Sequence, residues 1–155
     1  MENKKIVEKN IIYNKKANFE YIFEQKFEAG IQLTGTEVKS LRDGKCSISE
    51  SYIIEQNNEI FIKNMNISQF KHGNIHNHEP LRMRKLFLHK KEIEKIKRAI
   101  KEKGITVVPI RLYFKNNLIK VEIAIAKGKK LYDKRESIKE KDVKKNIERE
   151  LKKRY

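Results

Sequence analysis

The chain has 155 residues, 38% of them hydrophobic and 37% charged, and its 37 Lys and Arg against 21 Asp and Glu give a formal net charge of +16. This length suits a single domain, and so large a positive charge favours a polyanionic partner, with nucleic acid as the first candidate. Cys46 is the only cysteine, and neither a membrane-length apolar run nor a secretory leader is visible, so we expect a cytoplasmic protein without disulfide or membrane contact.

Ordered structure is expected to begin near Ile11, which leaves residues 1–10 as a flexible N-terminus. The stretch FEYIFEQKFEAGIQL, residues 19–33, alternates aromatic and polar residues over most of its length. Such alternation predicts a long strand that starts at Phe19, and Gly30 is expected to mark a bulge or bend in it.

A short helix, two hairpins and a longer helix are predicted next. The segment GTEVKSLRDG suits a helix with Thr36 as its N-cap and Gly44 at its end. The pairs Asn57-Asn58 and Asn116-Asn117 lie between apolar runs and predict two hairpins. Between them, LHKKEIEKIKRAIKEKG (88–104) has isoleucines at helical spacing and predicts an amphipathic helix with a basic outer face.

Many short strands around one longer helix predict a mainly β fold, namely an antiparallel β-barrel of the OB type with two or three packed helices. This RNA-binding domain is expected to span residues 11–126. Pro109, within TVVPIRL, predicts that its strand lies at an edge or carries a bulge.

Residues 127–155 differ in composition, with thirteen Lys and Arg against six Asp and Glu. Seven apolar or aromatic residues are too few to build a core, although Val143, Ile147 and Leu151 repeat every four residues. We expect this basic C-terminal tail to be disordered in the free protein and to become helical when phosphates neutralise its charges.

All four histidines fall within residues 72–89, and three of them precede an acid, in the order His72, His76, His78 and Glu79. Such a set resembles zinc ligands. However, the flanking glycine and proline predict a loop, and the three cations that follow would repel a divalent ion. We therefore expect a loop that offers imidazoles and cations to RNA, with no metal and no cofactor. His89 is expected to serve the start of the longer helix.

Four blocks are long and specific: NKKANFEY (14–21), FEAGIQLTGTEVKSLRDGK (27–45), NHEPLRMRKLFLHKKEI (77–93) and KGITVVPIRLYFKNNLIKVEIAIAKGKKLYDKR (103–135). Together they resemble the bacterial SsrA-binding proteins, also called small protein B, from about residue 6 to residue 150. The resemblance implies an OB-fold barrel and a non-enzymatic role in trans-translation. Proteins of this family bind transfer-messenger RNA (tmRNA) at its tRNA-like domain and accompany it to stalled 70S ribosomes. Their tail enters the mRNA channel near the decoding centre, and the nascent peptide is then tagged.

The resemblance also implies which residues act. Its RNA-facing blocks fall on Asn14, Lys15, Lys16, Glu37, Lys39, Arg42, Arg82, Arg84 and Lys85. Its tail block falls on Lys129, Lys130, Tyr132, Asp133, Lys134 and Arg135, which are expected to contact 16S ribosomal RNA at the decoding centre. An acid such as Glu37 suits an RNA face only if it accepts from base or ribose donors or orients a neighbouring cation; the alternative is an acid favoured by the helix dipole. Phe87 replaces an expected aliphatic residue, a change expected to affect packing only.

Two other classes of protein stay open. A generic ribosomal or translation-factor OB protein would share the barrel and the basic surface but need not carry the GKKLYDKR tail. A metal-dependent nuclease would need a cluster of acids, whereas the acids of this chain are scattered among lysines. The free protein is expected to be monomeric.

Overall fold

The computed structural model describes residues 7–71, 77–129 and residue 145, and within them the chain forms nine strands and three helices. In chain order these are β1 (Glu8–Tyr13), α1 (Lys15–Glu20), β2 (Tyr21–Ile31), α2 (Gly35–Arg42), β3 (Cys46–Ser47), β4 (Tyr52–Gln56), β5 (Glu59–Lys63), β6 (Asn66–Ile67), β7 (Arg84–Phe87), α3 (Lys90–Lys101), β8 (Ile105–Lys115) and β9 (Leu118–Gly128). The first histidines of the 72–89 window, His72 and His76, lie outside the described residues, as does the tail from Lys130 onward apart from Lys145.

Seven strands form one antiparallel sheet in the order β1-β8-β9-β2-β7-β5-β4, and β3 pairs with β6 in a separate ribbon. The predicted mainly β architecture with packed helices is thereby confirmed. Closure into a barrel is not found in the described part of the chain, because the sheet keeps two ends, β1 and β4. β4 approaches β8 without a backbone ladder. Pro109 of β8 has no N–H to donate to a neighbouring strand.

Both predicted hairpins are confirmed. Asn57 and Asn58 have φ of 51° and 64°, and Asn116 and Asn117 have φ of 50° and 69°. Positive φ at both central residues defines the type I′ turn, whose twist matches that of the strands that it joins, and asparagine tolerates this conformation. The β4–β5 and β8–β9 pairs therefore follow from local sequence.

The longer helix is also confirmed as α3, with His89 as its N-cap. The His89 backbone N–H donates to Glu92 Oε1 at 3.0 Å, and Gly104 at φ 82° follows the last turn. Ile96 and Ala99 are buried on the face that packs against the sheet. None of the helices in the described ranges is long and apolar enough to cross a membrane.

Three local predictions need correction. Phe19 lies in α1 rather than in a strand, because Asn14 caps a helix that begins at Lys15. The bulge of β2 falls between Phe23 and Gln25 instead of at Gly30.

The third correction concerns α2, whose N-cap is Thr34 and not Thr36. Thr34 precedes Glu37 by three residues, so the Thr34 hydroxyl accepts from the Glu37 N–H at 3.4 Å while Glu37 Oε1 accepts from the Thr34 N–H at 2.9 Å. The predicted end of the helix is right, since Gly44 has φ 69°. The bulge predicted at Pro109 is also confirmed, because the β8–β9 register shifts between Pro109 and Arg111.

The core lies between the sheet, α2 and α3 and consists mainly of isoleucine, leucine and valine. Its fully buried members include Ile60, Ile62, Met65, Ile67, Ile96, Val107, Leu112, Val121 and Ile123. Cys46 packs against this core half-buried, and burial raises the pKa of its thiol to about 11, so the thiol stays protonated at neutral pH.

Asn14 fastens α1 to two other parts of the fold. Its side-chain oxygen accepts from the Ala17 N–H at 3.0 Å, and its amide donates to Pro109 O at 2.9 Å and to Ile48 O at 3.2 Å. The residue is 2% exposed. We expect Asn14→Ala to lower the free energy of unfolding by roughly 2–4 kcal/mol, because one helix cap and two buried hydrogen bonds are lost together.

Urea unfolding monitored by circular dichroism measures this effect. Asn66→Ala is the matched control, since Asn66 is exposed and its substitution is expected to change the free energy of unfolding by less than about 0.5 kcal/mol. Equal stability of the two variants would contradict the role given to Asn14.

Candidate nucleic-acid interface

Glu37, Arg82 and Arg84, three of the predicted RNA-facing residues, come together in one buried cluster. Arg82 Nη2 lies 2.5 Å from Glu37 Oε1, and Arg84 Nε donates to Glu37 Oε2. The side chains of Glu37 and Arg84 are fully buried, while that of Arg82 is 33% exposed. Of these three residues, only Arg82 can touch a ligand without rearrangement.

Arg84 is the centre of this cluster. Besides Glu37, its guanidinium donates to Met65 O at 2.7 Å, to Pro80 O at 3.2 Å and to Glu79 O at 3.4 Å. It therefore joins α2 to the turn after β5 and to the segment before β7. Arg84 does not contact solvent; it fixes the backbone of the segment that carries Arg82.

Glu37 stays ionised in this setting. Burial by itself raises the pKa of the Glu37 carboxyl, but hydrogen bonds from the Thr34 N–H, Arg82 and Arg84 outweigh burial, and the net pKa is lowered. Two of the sequence-based interpretations are therefore confirmed together: Glu37 is the first-turn acid of α2, and it orients a neighbouring cation, Arg82.

His78, the last histidine before Glu79, is buried and hydrogen-bonded through both ring nitrogens. Its Nε2 lies 2.8 Å from Ile67 O, and its Nδ1 lies 2.9 Å from the Thr36 hydroxyl. A carbonyl only accepts, so Nε2 carries a proton and donates to Ile67 O, while Nδ1 is hydrogen-bonded to the Thr36 hydroxyl. Both ring nitrogens of this buried histidine are thus engaged, and a metal would have to displace one of these bonds. Within 7–71 and 77–129 no three potential ligands are grouped.

The predicted cations of α2 are exposed. Lys39 and Arg42 lie three positions apart on the helix, and Lys39 Nζ lies 5.5 Å from the centroid of the Phe70 ring. Arg42 has no ion-pair or hydrogen-bond partner among residues 7–71 and 77–129. These two cations are available to phosphates.

The opening block is divided between the interior and the surface. Asn14 is buried, as described above, whereas Lys15 and Lys16 are exposed in the first turn of α1. Lys16 Nζ pairs with Glu50 Oε1 at 2.5 Å, an exposed pair that a phosphate can replace at little cost. Asn14 therefore determines the position of Lys15 and Lys16, because it caps the helix whose first turn carries them.

A second surface combines exposed Phe87 with half-buried Lys85 and Lys120, and we call it the outer sheet face. Alternation along β7 turns Arg84 and Leu86 inward and Lys85 and Phe87 outward. Phe87 is 51% exposed, and Lys85 Nζ lies 5.5 Å from its ring centroid. Phe87 therefore lies at the surface, and its expected effect on packing only stays a prediction.

Gly30 lies between these side chains. It pairs with Phe87 of β7 on one side and with Lys120 of β9 on the other. A Cβ at Gly30 would lie 3.4 Å from Phe87 Cβ and 3.8 Å from Lys120 Nζ, in ordinary van der Waals contact, so both side chains border this position. The alternation of residues along Arg84–Phe87 is the sequence signal that could have indicated the exposure of Phe87.

Next to this face, Glu28 accepts from the Tyr113 hydroxyl and from Lys115 Nζ at 3.1 Å. The hydrogen bond from Tyr113 contributes most to lowering the pKa of the Glu28 carboxyl. Burial and the Glu28 charge raise the pKa of the Tyr113 hydroxyl, which stays protonated. The charge of Lys120 also lowers the pKa of this carboxyl, but Lys120 forms no ion pair in the described part of the chain.

The start of the tail is fixed beside α1. The Lys129 N–H donates to Glu20 O at 2.8 Å, and Lys129 Nζ donates to Asn18 O at 3.2 Å. The other predicted ribosome-contacting residues, Lys130, Tyr132, Asp133, Lys134 and Arg135, lie outside the described residues. The remaining predicted residue, Lys85, also pairs with Glu59 at 3.1 Å.

Comparisons of the sequence and of the structure with known proteins agree with one another. A family model described as SmpB protein matches residues 11–153. The SsrA-binding protein of Geotalea uraniireducens is 56% identical over 147 residues, which cover 95% of this chain and 97% of the relative. That of Geobacter sulfurreducens is 58% identical over 135 residues, which cover 87% and 88%. A solved structure described as "tmRNA-SmpB: a journey to the center of the bacterial ribosome" superimposes with a TM-score of 0.66 at 36% identity, over 86% of this chain and 94% of that one. On the family match and these identities, the chain belongs to the SmpB protein family.

Proposed function

We propose that this protein binds tmRNA at its tRNA-like domain and delivers it to stalled 70S ribosomes for trans-translation. Its role is that of a non-enzymatic RNA-binding adaptor. The observation that carries the proposal is the SmpB family match over residues 11–153, supported by identities above half to proteins named SsrA-binding protein. The net charge of +16 supplies the general attraction to RNA.

Within the described body we assign direct RNA contact to the exposed and half-buried cations. These are Lys15, Lys16, Lys39, Arg42, Arg82 and Lys85, to which we add Lys120. Their contacts to phosphate position the RNA, and Phe87 offers an aromatic plane for stacking on an exposed base. Asn14, Glu37 and Arg84 act indirectly, because they are buried and hold the exposed residues in place.

The OB-type barrel belongs to this proposal. β4 and β8 lie close without a ladder, and Asn14 donates to carbonyls of both β8 and the segment before β4. A barrel closed at this seam by side chains, and elsewhere by backbone hydrogen bonds, fits the strand order. The outer sheet face lies on β7 and β9, away from the contact between β4 and β8, and stays open to RNA in such a barrel.

We assign the ribosomal part of the function to the tail, residues 127–155. Its thirteen Lys and Arg suit 16S ribosomal RNA in the mRNA channel, and its first residue after β9 is held beside α1. We propose that the tail acts at the decoding centre and that the free protein is a cytoplasmic monomer. A generic ribosomal OB protein is the second candidate, and it would show no preference for tmRNA.

Equilibrium binding to the isolated tRNA-like domain, compared with an unrelated structured RNA of equal length, tests the proposal. We expect tighter binding to the tRNA-like domain at every salt concentration and a linear fall of log K with log salt. Replacing Lys39 with alanine should reduce the magnitude of that slope by about 0.7–0.9, the value for one lost phosphate contact, whereas Lys63→Ala on β5 is the matched control and should leave it unchanged. Equal affinity for both RNAs throughout would contradict the proposal and favour the generic alternative.

A further inference from the structure

An open cleft of about 200 Å³ lies where β1, the end of α2 and the end of β8 meet. Ile11 and Leu41 form its apolar wall, and half-buried Phe114 also lines it. Lys9 and Arg42 line it from opposite elements. The cleft therefore combines an aromatic ring, an apolar wall and two cations.

The register of the sheet places Lys9 and Phe114 side by side. Lys9 pairs with Phe114 in the β1–β8 ladder, and directly opposite residues project from the same face with their Cβ atoms about 4.5–5.5 Å apart. The β1 register then shifts between Asn10 and Ile12, so Ile11 is the extra residue of a bulge. Bulges re-aim side chains, and this one lies at the cleft wall.

The two cations of the cleft form no ion pair within the described residues. Neither Lys9 nor Arg42 has an ion-pair or hydrogen-bond partner in the described ranges, and the one acid at the cleft is Asp43. The amide of Asn10 is already committed, since it donates to the Tyr13 hydroxyl at 2.8 Å and accepts from Arg111 at 2.7 Å. The lining can thus bind an anion and a flat ring but offers little for reading a specific base.

We propose that this cleft holds a single unpaired nucleotide of the bound RNA, with its base stacked on Phe114 and its phosphate between Lys9 and Arg42. The inference rests on the proposed function and adds to it a nucleotide site that involves Lys9 and Phe114. Base stacking on an aromatic ring tolerates any base, and a base must be unpaired and unstacked from its neighbours to lie against such a ring. The site therefore suits an extruded nucleotide of any sequence.

Salt dependence separates the two kinds of contact. Phe114→Leu should weaken binding to the tRNA-like domain roughly 5- to 150-fold, as expected for one lost stacked base, and should leave the slope of log K against log salt unchanged. Lys9→Ala and Arg42→Ala should each reduce the magnitude of that slope by about 0.7–0.9. Lys63→Ala on β5 is the matched cation control, with no change expected in either quantity.

A second measurement avoids dependence on the folding of the Phe114 variant. Single 2-aminopurine substitutions are placed in turn at the unpaired positions of the RNA, and fluorescence is recorded with wild-type protein. We expect one position to change strongly on binding and to lose that change with Arg42→Ala or Lys9→Ala. Wild-type affinity and slope in the Phe114 and Lys9 variants, or no responding position, would overturn the nucleotide site while leaving the proposed function intact. Failure of the wild-type protein to prefer the tRNA-like domain would instead contradict the proposed function.

Discussion

Glu37→Gln is expected to lower the free energy of unfolding by about 3–5 kcal/mol, the largest effect on stability that the described structure predicts for one substitution. The reason is that Arg84 is fully buried and would keep its positive charge after losing the carboxylate that faces it. Burial lowers the pKa of the Arg84 guanidinium, but a guanidinium does not deprotonate at neutral pH and so cannot escape the cost. The substitution should also weaken RNA binding, because Arg82 would lose its anchor.

Urea unfolding at neutral pH measures this loss. Glu50→Gln is the matched control, since Glu50 pairs with Lys16 at the surface, where solvent screens an ion pair and its contribution to stability is small. Replacing Glu37 and Arg84 together by Gln and Met should recover part of the stability, because no charge is then left buried without a partner. A Glu37→Gln protein within about 1 kcal/mol of the wild type would refute the buried cluster.

Acid should act on the same cluster. The pKa of the Glu37 carboxyl is lower in the folded protein than in the unfolded chain, so the unfolded chain takes up the proton first as the pH falls. The stabilisation is complete above the unfolded value of about 4.3 and is lost as the pH falls through it toward the folded pKa. The difference in stability between the wild type and Glu37→Gln should therefore shrink in acid below about pH 4, and a difference that grows would have the wrong sign.

Local features were predictable from sequence, and long-range ones were not. The two Asn-Asn turns and α3 depend on neighbours within a few residues, and the structure has them where the sequence predicts them. The start of α2 was misplaced by two residues because two threonines compete, and the position of Glu37 decides in favour of Thr34.

The candidate site depends on contacts between residues that are far apart in the sequence, and local spacing does not predict such contacts. Glu37 and Arg84 are 47 residues apart, and their burial against each other follows from the packing of α2 on the segment before β7. The resemblance brought both residues to attention as RNA-facing, yet their side chains are inaccessible. By contrast, the exposure of Phe87 followed from strand parity, which the sequence does show once β7 is known to start at Arg84.

A chain that ends at Lys129 should lose nearly all peptide tagging on stalled ribosomes while it keeps its fold and most of its affinity for the tRNA-like domain. The end point follows from the structure, because Lys127 and Gly128 still pair with Ile22 and Tyr21 of β2 and the Lys129 N–H donates to Glu20 O. Ending at Ala126 would remove these pairs and confuse loss of the tail with damage to the sheet.

In this truncated chain, the effect of the lost positive charge on RNA affinity can be separated from the loss of peptide tagging. Removing the residues after Lys129 removes eleven of the tail's thirteen Lys and Arg, which lowers general attraction to RNA but leaves the cations of α1, α2 and β7 in place. The drop in affinity should therefore be modest and should shrink as salt is added. Replacing Asp133, Lys134 and Arg135 together by alanine should reproduce much of the tagging loss with nearly unchanged binding.

The most direct test of the account is a paired measurement on the truncated chain, with equilibrium binding to the tRNA-like domain beside peptide tagging on stalled ribosomes. The full-length protein and the triple alanine variant are measured in the same two assays. We predict that tagging falls to near background in the truncated chain while binding stays within about tenfold of full length, a difference of about 1.4 kcal/mol. Binding and tagging that fall in proportion would contradict the division between an RNA-binding body and a ribosome-acting tail.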